Sequence, residues 1–131
     1  MEKEFVPYTE SLALKELGFD EECLAIYTHN NSHYEKGSFF LHHPHPFTIE
    51  ELTPQVQDVR ESAVYILAPL YQQAFRWFRE KYRKVDYPEF DYDEQKWYCH
   101  SDYKNLKLFE TYEEAELACL NKLIEIVKQK Q

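Results

Sequence analysis

Apolar and polar positions alternate along this chain with periods that change from helical to extended and back. Residues 8–17 read as a first helix. Pro7 suits its entrance, because a proline lacks the N–H that would be unpaired there in any case. Gly18 marks its end: a left-handed glycine would let Phe19 touch Leu14 in a Schellman-type closure. Residues 23–27, Cys-Leu-Ala-Ile-Tyr, read as a short strand running into a polar stretch at 28–32. Residues 38–42 read as its hairpin partner, with Gly37 as the turn.

Pro44, Pro46 and Pro54 prevent a long regular element between His42 and Gln55, although Thr48 and Glu51 have capping-box spacing. Residues 44–62 therefore read as a loop-rich insertion. Residues 64–67, Val-Tyr-Ile-Leu, have strand composition, and Pro69 closes them. A helix is expected over 70–82, with Tyr71, Ala74, Phe75, Phe78 and Tyr82 forming one buried stripe. Next comes an acidic hairpin, 85–92 paired with 96–103. On its second strand Trp97, Cys99, Ser101 and Tyr103 would share one face, and Tyr98, His100 and Asp102 the other. The last helix opens on Thr111 with Glu114 three residues on, a capping box. Its apolar face is Ala115, Cys119, Leu120, Leu123, Ile126 and Val127. The order predicts an α+β domain, a mostly antiparallel sheet of short strands packed against about three helices, in a single domain over residues 1–131.

At 131 residues the chain can bury a proper core without staples. Nine Phe, eleven Tyr and two Trp argue against intrinsic disorder. They also exceed what a modest core needs, so an exposed aromatic patch and a homo-oligomer are expected uses of the surplus. A net charge of −9 argues against duplex nucleic acid as a partner. No apolar run is long enough for a membrane span, and the charged Met1-Glu2-Lys3-Glu4 lacks a signal region. Cys23, Cys99 and Cys119, scattered and odd in number, suit a reducing cytoplasm.

Four segments carry a family resemblance. They are Lys3-Glu4-Phe5-Val6-Pro7-Tyr8; Leu14-Lys15-Glu16-Leu17-Gly18-Phe19-Asp20-Glu21; Ala68-Pro69-Leu70-Tyr71-Gln72-Gln73-Ala74-Phe75-Arg76-Trp77-Phe78-Arg79-Glu80-Lys81-Tyr82; and Thr111-Tyr112-Glu113-Glu114-Ala115-Glu116-Leu117-Ala118-Cys119-Leu120. Together they resemble a family of small uncharacterised proteins carried by bacteriophages and prophages of gut anaerobes. That family has no assigned activity and no catalytic motif to carry over. The His-Pro-rich middle of this chain and its 48–62 segment look longer than is typical of it. The resemblance implies a phage origin, a host-cytoplasm setting and an accessory role exercised by binding.

Candidate chemistry is sparse. His42, His43 and His45 have imidazoles at a spacing that can ligate a metal, but no cysteine or carboxylate stands at zinc-site spacing beside them. A solvated loop accounts for them better. Cys119 falls on the apolar face of a helix, and Cys23 and Cys99 fall in strands, where cysteine acts as a small hydrophobe. With only Gly18 and Gly37 there is no glycine-rich phosphate loop, no nucleophile elbow, and no cofactor motif. An enzyme is not expected. Asp86, Glu89, Asp91, Asp93 and Glu94 lack the calcium-loop pattern and read as a solvated strand edge.

The sharpest local feature is residues 72–84, where Arg76, Arg79, Lys81, Arg83 and Lys84 face Glu80 alone. That is a local +4, so the rest of the chain carries −13. Arg76, Arg79 and Arg83 could grip phosphate while Trp77 stacks on a base. Pairing with the helix dipole and the acidic hairpin explains the same cations equally well. The leading expectation is a non-catalytic accessory protein, anti-defence in role, that binds a host protein. A second is a sponge that sequesters a small anionic ligand, a nucleotide signalling molecule. A metal-dependent enzyme using His42, His43 and His45 stands well behind both.

Overall fold

The computed structural model describes residues 2–30, 38–41 and 63–130. Among these, three α-helices and two antiparallel sheets form an α+β fold, as the order of elements predicts. The expected 44–62 insertion, Gly37 and the His42, His43 and His45 cluster lie outside the described residues. The chain divides into two compact units, Met1–Leu70 and Tyr71–Gln131.

The first unit contains α1 (Tyr8–Glu16) and strands β1 (Ala25–Asn30), β2 (Ser38–Leu41) and β3 (Ala63–Ala68). The strands form a sheet in the order β2-β1-β3, both pairings antiparallel. Helix α1 ends as expected. Gly18 has φ 98°, its N–H reaches the carbonyl of Lys15 at 3.0 Å, and the Phe19 N–H reaches that of Leu14 at 2.9 Å. Those are the two bonds of a Schellman motif, and only a residue without a Cβ sits there without strain. Strand β1 starts two residues later than the apolar run and extends through polar Thr28, His29 and Asn30. The ladder explains the shift: Asn30 pairs with Ala63 and Thr28 with both Ser38 and Tyr65, so backbone pairing outweighs side-chain polarity.

Register places Tyr27 between Phe39 and Ile66. Ala25, Tyr27, Ile66 and Ala68 are buried with Phe5, and Tyr8, Leu12, Phe39 and Leu70 pack around them. The N-terminal segment is tied in through Phe5, which bridges Leu70, and through Val6. The Val6 N–H donates to Pro69 O at 2.8 Å, and the Val6 carbonyl accepts from Tyr27 Oη at 2.9 Å and Ser11 Oγ at 3.1 Å.

The second unit contains α2 (Tyr71–Tyr82), β4 (Pro88–Asp91), β5 (Lys96–Cys99) and α3 (Tyr112–Gln129). Helix α2 buries Tyr71, Ala74, Trp77 and Phe78, while Phe75 and Tyr82 are only half-buried. The buried arc is thus rotated toward Trp77 relative to the expected stripe, because the indole is the largest apolar surface on the helix. Helix α3 buries Ile124 where Ile126 was expected; Leu120, Leu123, Ile124 and Val127 are the i, i+3, i+4, i+7 set. Thr111 caps it, its Oγ1 accepting from the Glu114 N–H at 3.1 Å and donating to Glu114 Oε1 at 3.0 Å.

The hairpin is shorter than its sequence pattern. β5 stops at Cys99, and a 3-10 turn, His100–Asp102, follows. Ser101, Asp102 and Tyr103 therefore lie outside the strand alternation expected for them. Phe109 bridges back to Trp97, with N–H···O bonds of 2.7 and 2.9 Å, so the segment before α3 closes on the hairpin.

Candidate functional site

Period-2 alternation sorts the hairpin into two faces. Pro88 lies opposite Cys99 and Phe90 opposite Trp97, and these four share the face that meets α3. Trp97 sits edge-on to Tyr112 at 5.0 Å, and Cys99 Sγ donates to Ala115 O at 3.6 Å. Glu89 lies opposite Tyr98 and Asp91 opposite Lys96, so these four share the outer face.

Glu89 organises that outer face. Its Oε2 accepts from the Tyr98 hydroxyl and its Oε1 pairs with His100 Nδ1, both at 2.5 Å. These two donors hold the Glu89 carboxyl below the usual carboxylate range, the Tyr98 bond first. The same bond raises the Tyr98 phenol, and burial, then Glu89, raises that of Tyr87. The Tyr87 ring stacks on His100 at 4.6 Å with an interplanar angle of 13°, and Tyr103 stacks on the same imidazole at 6.3 Å. Tyr87, Tyr92 and Tyr103 remain 43%, 79% and 61% exposed. Tyr92 is edge-on to Phe90 at 5.1 Å. The hairpin therefore presents several tyrosines whose rings are already fixed by neighbours.

The acidic turn is built by its own backbone. Asp91 Oδ1 accepts from the N–H groups of Asp93 and Glu94 at 3.0 and 3.4 Å, and Gln95 takes φ 57°. This is Asx-turn chemistry. Asp86, grouped with those exposed carboxylates by sequence, is instead buried. It accepts from the Tyr87 N–H at 2.9 Å, the Ser101 N–H at 3.0 Å and the Ser101 hydroxyl at 2.7 Å. Cys99 and Cys119 lie beside it, and all three are buried. Burial, then the hydrogen bond between the two sulfurs, pushes the Cys119 thiol far up; burial likewise raises Cys99. In the metal-free chain these thiols are protonated at neutral pH. Cys23 is buried too, in the first unit.

The basic helix is less uniform than its sequence. Arg76 and Arg79 are exposed on α2, but Trp77 is 5% exposed, edge-on to Phe78 and Tyr82 at 5.1 and 5.3 Å. Lys81 Nζ lies 5.2 Å from the centre of the Trp77 ring. The indole is thus packed rather than presented. Arg83 takes φ 56° just beyond the helix, and the Lys84 N–H returns to Phe78 O at 3.3 Å. Lys84 stands close enough to Lys130 to lower its ammonium pKa, so cations from both helix ends converge.

Sequence reasoning named Arg76, Trp77, Arg79 and Arg83, and they lie on or at the end of one helix. It missed the Glu89–His100 pair and the meeting of Asp86 with Cys99 and Cys119. The only signal for the latter was that both cysteines fall on apolar faces of successive elements. No helix among the described residues is long and apolar enough to cross a membrane. Compared with protein-family models, with curated proteins and with solved structures, the chain finds no match.

Proposed function

We propose that this chain is a non-catalytic accessory binding protein of phage origin that engages a host protein in the host cytoplasm, anti-defence in role. The observation that carries this reading is the exposed aromatic set Tyr87, Tyr92 and Tyr103 on the β4–β5 hairpin and its following turn. Tyrosine supplies large amphipathic contact area and is enriched at binding hot spots. Rings already stacked on His100 lose little rotamer freedom on docking, which removes part of the entropic cost of association. Asp91, Asp93 and Glu94 rim the same hairpin, so the complementary partner surface is basic.

The test is affinity capture with three baits: the natural chain, a Tyr92→Ala/Tyr103→Ala variant, and an Arg76→Ala/Arg79→Ala variant. One host protein should co-purify with the first and third and be lost from the second. A bait-only lane, or capture indifferent to the tyrosines, removes the reading.

Exposed Arg76 and Arg79, with Lys84 beside Lys130, favour the second reading, a nucleotide sponge. Since Trp77 is packed, a tyrosine would provide the stacking face. A nucleotide that raises the melting temperature in the natural chain, and not in Arg76→Ala/Arg79→Ala, supports it. A panel of cyclic and linear nucleotides without effect ends it.

A further inference from the structure

Three donor side chains arrive inside the second unit from separate parts of the chain. Asp86 comes from the loop before β4, Cys99 from the end of β5 and Cys119 from the middle of α3. A carboxylate oxygen and both Sγ atoms lie within 4.8 Å of one another. The thiols are fully buried and Asp86 is 4% exposed. Its three donors fill three of the roughly four acceptor positions of a carboxylate and leave capacity for one more bond. They also hold its oxygens still, as outer-shell partners do for a ligating carboxylate.

A tetrahedral ion about 2.3 Å from sulfur and about 2.0 Å from oxygen requires donors roughly 3.5–3.8 Å apart. The separations here, within 4.8 Å, exceed that by at most about 1.0 Å between the sulfurs and about 1.3 Å between sulfur and oxygen. We infer that Asp86, Cys99 and Cys119 form a thiolate–carboxylate site for a soft divalent metal ion of the Zn2+ type. Two sulfurs exclude Mg2+ and Ca2+, which take oxygen ligands. Coordination forms two metal–sulfur bonds and one metal–oxygen bond, breaks two S–H bonds and sends both protons to solvent, with no change of oxidation state. The loaded site carries −1, and Lys122 on α3, paired with Asp102 of the 3-10 turn, stands near as a cation. The ion would staple the β4–β5 hairpin to α3.

Each thiol sheds its proton on ligation, so protons compete with the metal. The charged groups acting on them are Asp86, Asp102 and Lys122, from the three elements around the site. Loss of two protons makes the apparent affinity rise about 100-fold per pH unit below the thiol range.

The experiment titrates the reduced, metal-free full chain with Co2+ and then Zn2+, following absorption and proton release. One equivalent of Co2+ should give thiolate-to-cobalt charge transfer, displaced by Zn2+, with two protons released per ion. Cys23→Ala should leave the band intact, Cys99→Ser/Cys119→Ser should abolish it, and Asp86→Asn should weaken binding at least tenfold. A cobalt spectrum without thiolate bands, or a band that survives the double serine variant, overturns the inference. Should that variant fail to fold, the natural chain decides: fewer than two protons released per bound Zn2+ overturns it.

Discussion

Ser101 grips Asp86 twice, its N–H on Oδ1 at 3.0 Å and its hydroxyl on Oδ2 at 2.7 Å. The residues are fifteen apart in sequence, and the clamp ties the loop before β4 to the turn after β5. The carboxylate is buried, and removing the hydroxyl strips Oδ2 of its donor while the two N–H groups stay on Oδ1. Ser101→Ala should therefore cost about 1–3 kcal/mol of unfolding free energy. Urea denaturation in the presence of a chelator measures this without interference from metal, and a change below about 0.5 kcal/mol would remove the clamp from the account.

Tyr27 and Ser11 share one acceptor, the carbonyl of Val6. Either Tyr27→Phe or Ser11→Ala leaves it one partner and should cost about 1 kcal/mol. The double variant orphans its buried side-chain interactions and should cost more than the sum of the two. Thermal unfolding of the three variants closes the cycle.

Arg83 holds φ 56°, a conformation that costs an L-residue about 1 kcal/mol and glycine nothing. Arg83→Gly should leave stability unchanged or raise it by up to about 1 kcal/mol, whereas the β-branched Arg83→Val should lower it. Both are read from the melting temperature. A destabilised glycine variant would mean that the arginine side chain, not its backbone, matters here.

Glu116 on α3 is pushed from the ordinary 4.5 up to about 6, by burial first and by Glu113, against a lowering hydrogen bond with Tyr112. A raised carboxyl favours the protonated folded state. Its contribution is present below pH 4.5 and is lost as pH rises to about 6. Glu89 is lowered and works in the opposite sense, its contribution present above the ordinary value and lost on acidification. Glu116→Gln should flatten the decline between pH 4.5 and 6, as seen in melting temperature against pH. An unchanged profile would assign the decline elsewhere.

Much of the fold was legible locally. Gly18 closing α1 through Phe19 and Leu14, Thr111 capping α3, and Pro69 ending β3 each depend on chemistry within a few residues. Strand limits were less so, because Asn30 is extended only through its pairing with Ala63. The candidate site was least legible. Alternation across 96–103 would have set Ser101 on the strand, yet the turn at His100–Asp102 carries it to Asp86.

Local sequence thus determined the helices, their caps, the α+β class and the burial of the three cysteines, since apolar period and backbone capping act over one or two turns. Tertiary structure alone decided that Asp86 is a buried acceptor, that Trp77 is packed while Tyr92 and Tyr103 are presented, and that Cys99 meets Cys119. Asp86 meets Cys99 thirteen residues on, Ser101 fifteen on and Cys119 thirty-three on, and burial of a polar group depends on which distant donors arrive to satisfy it.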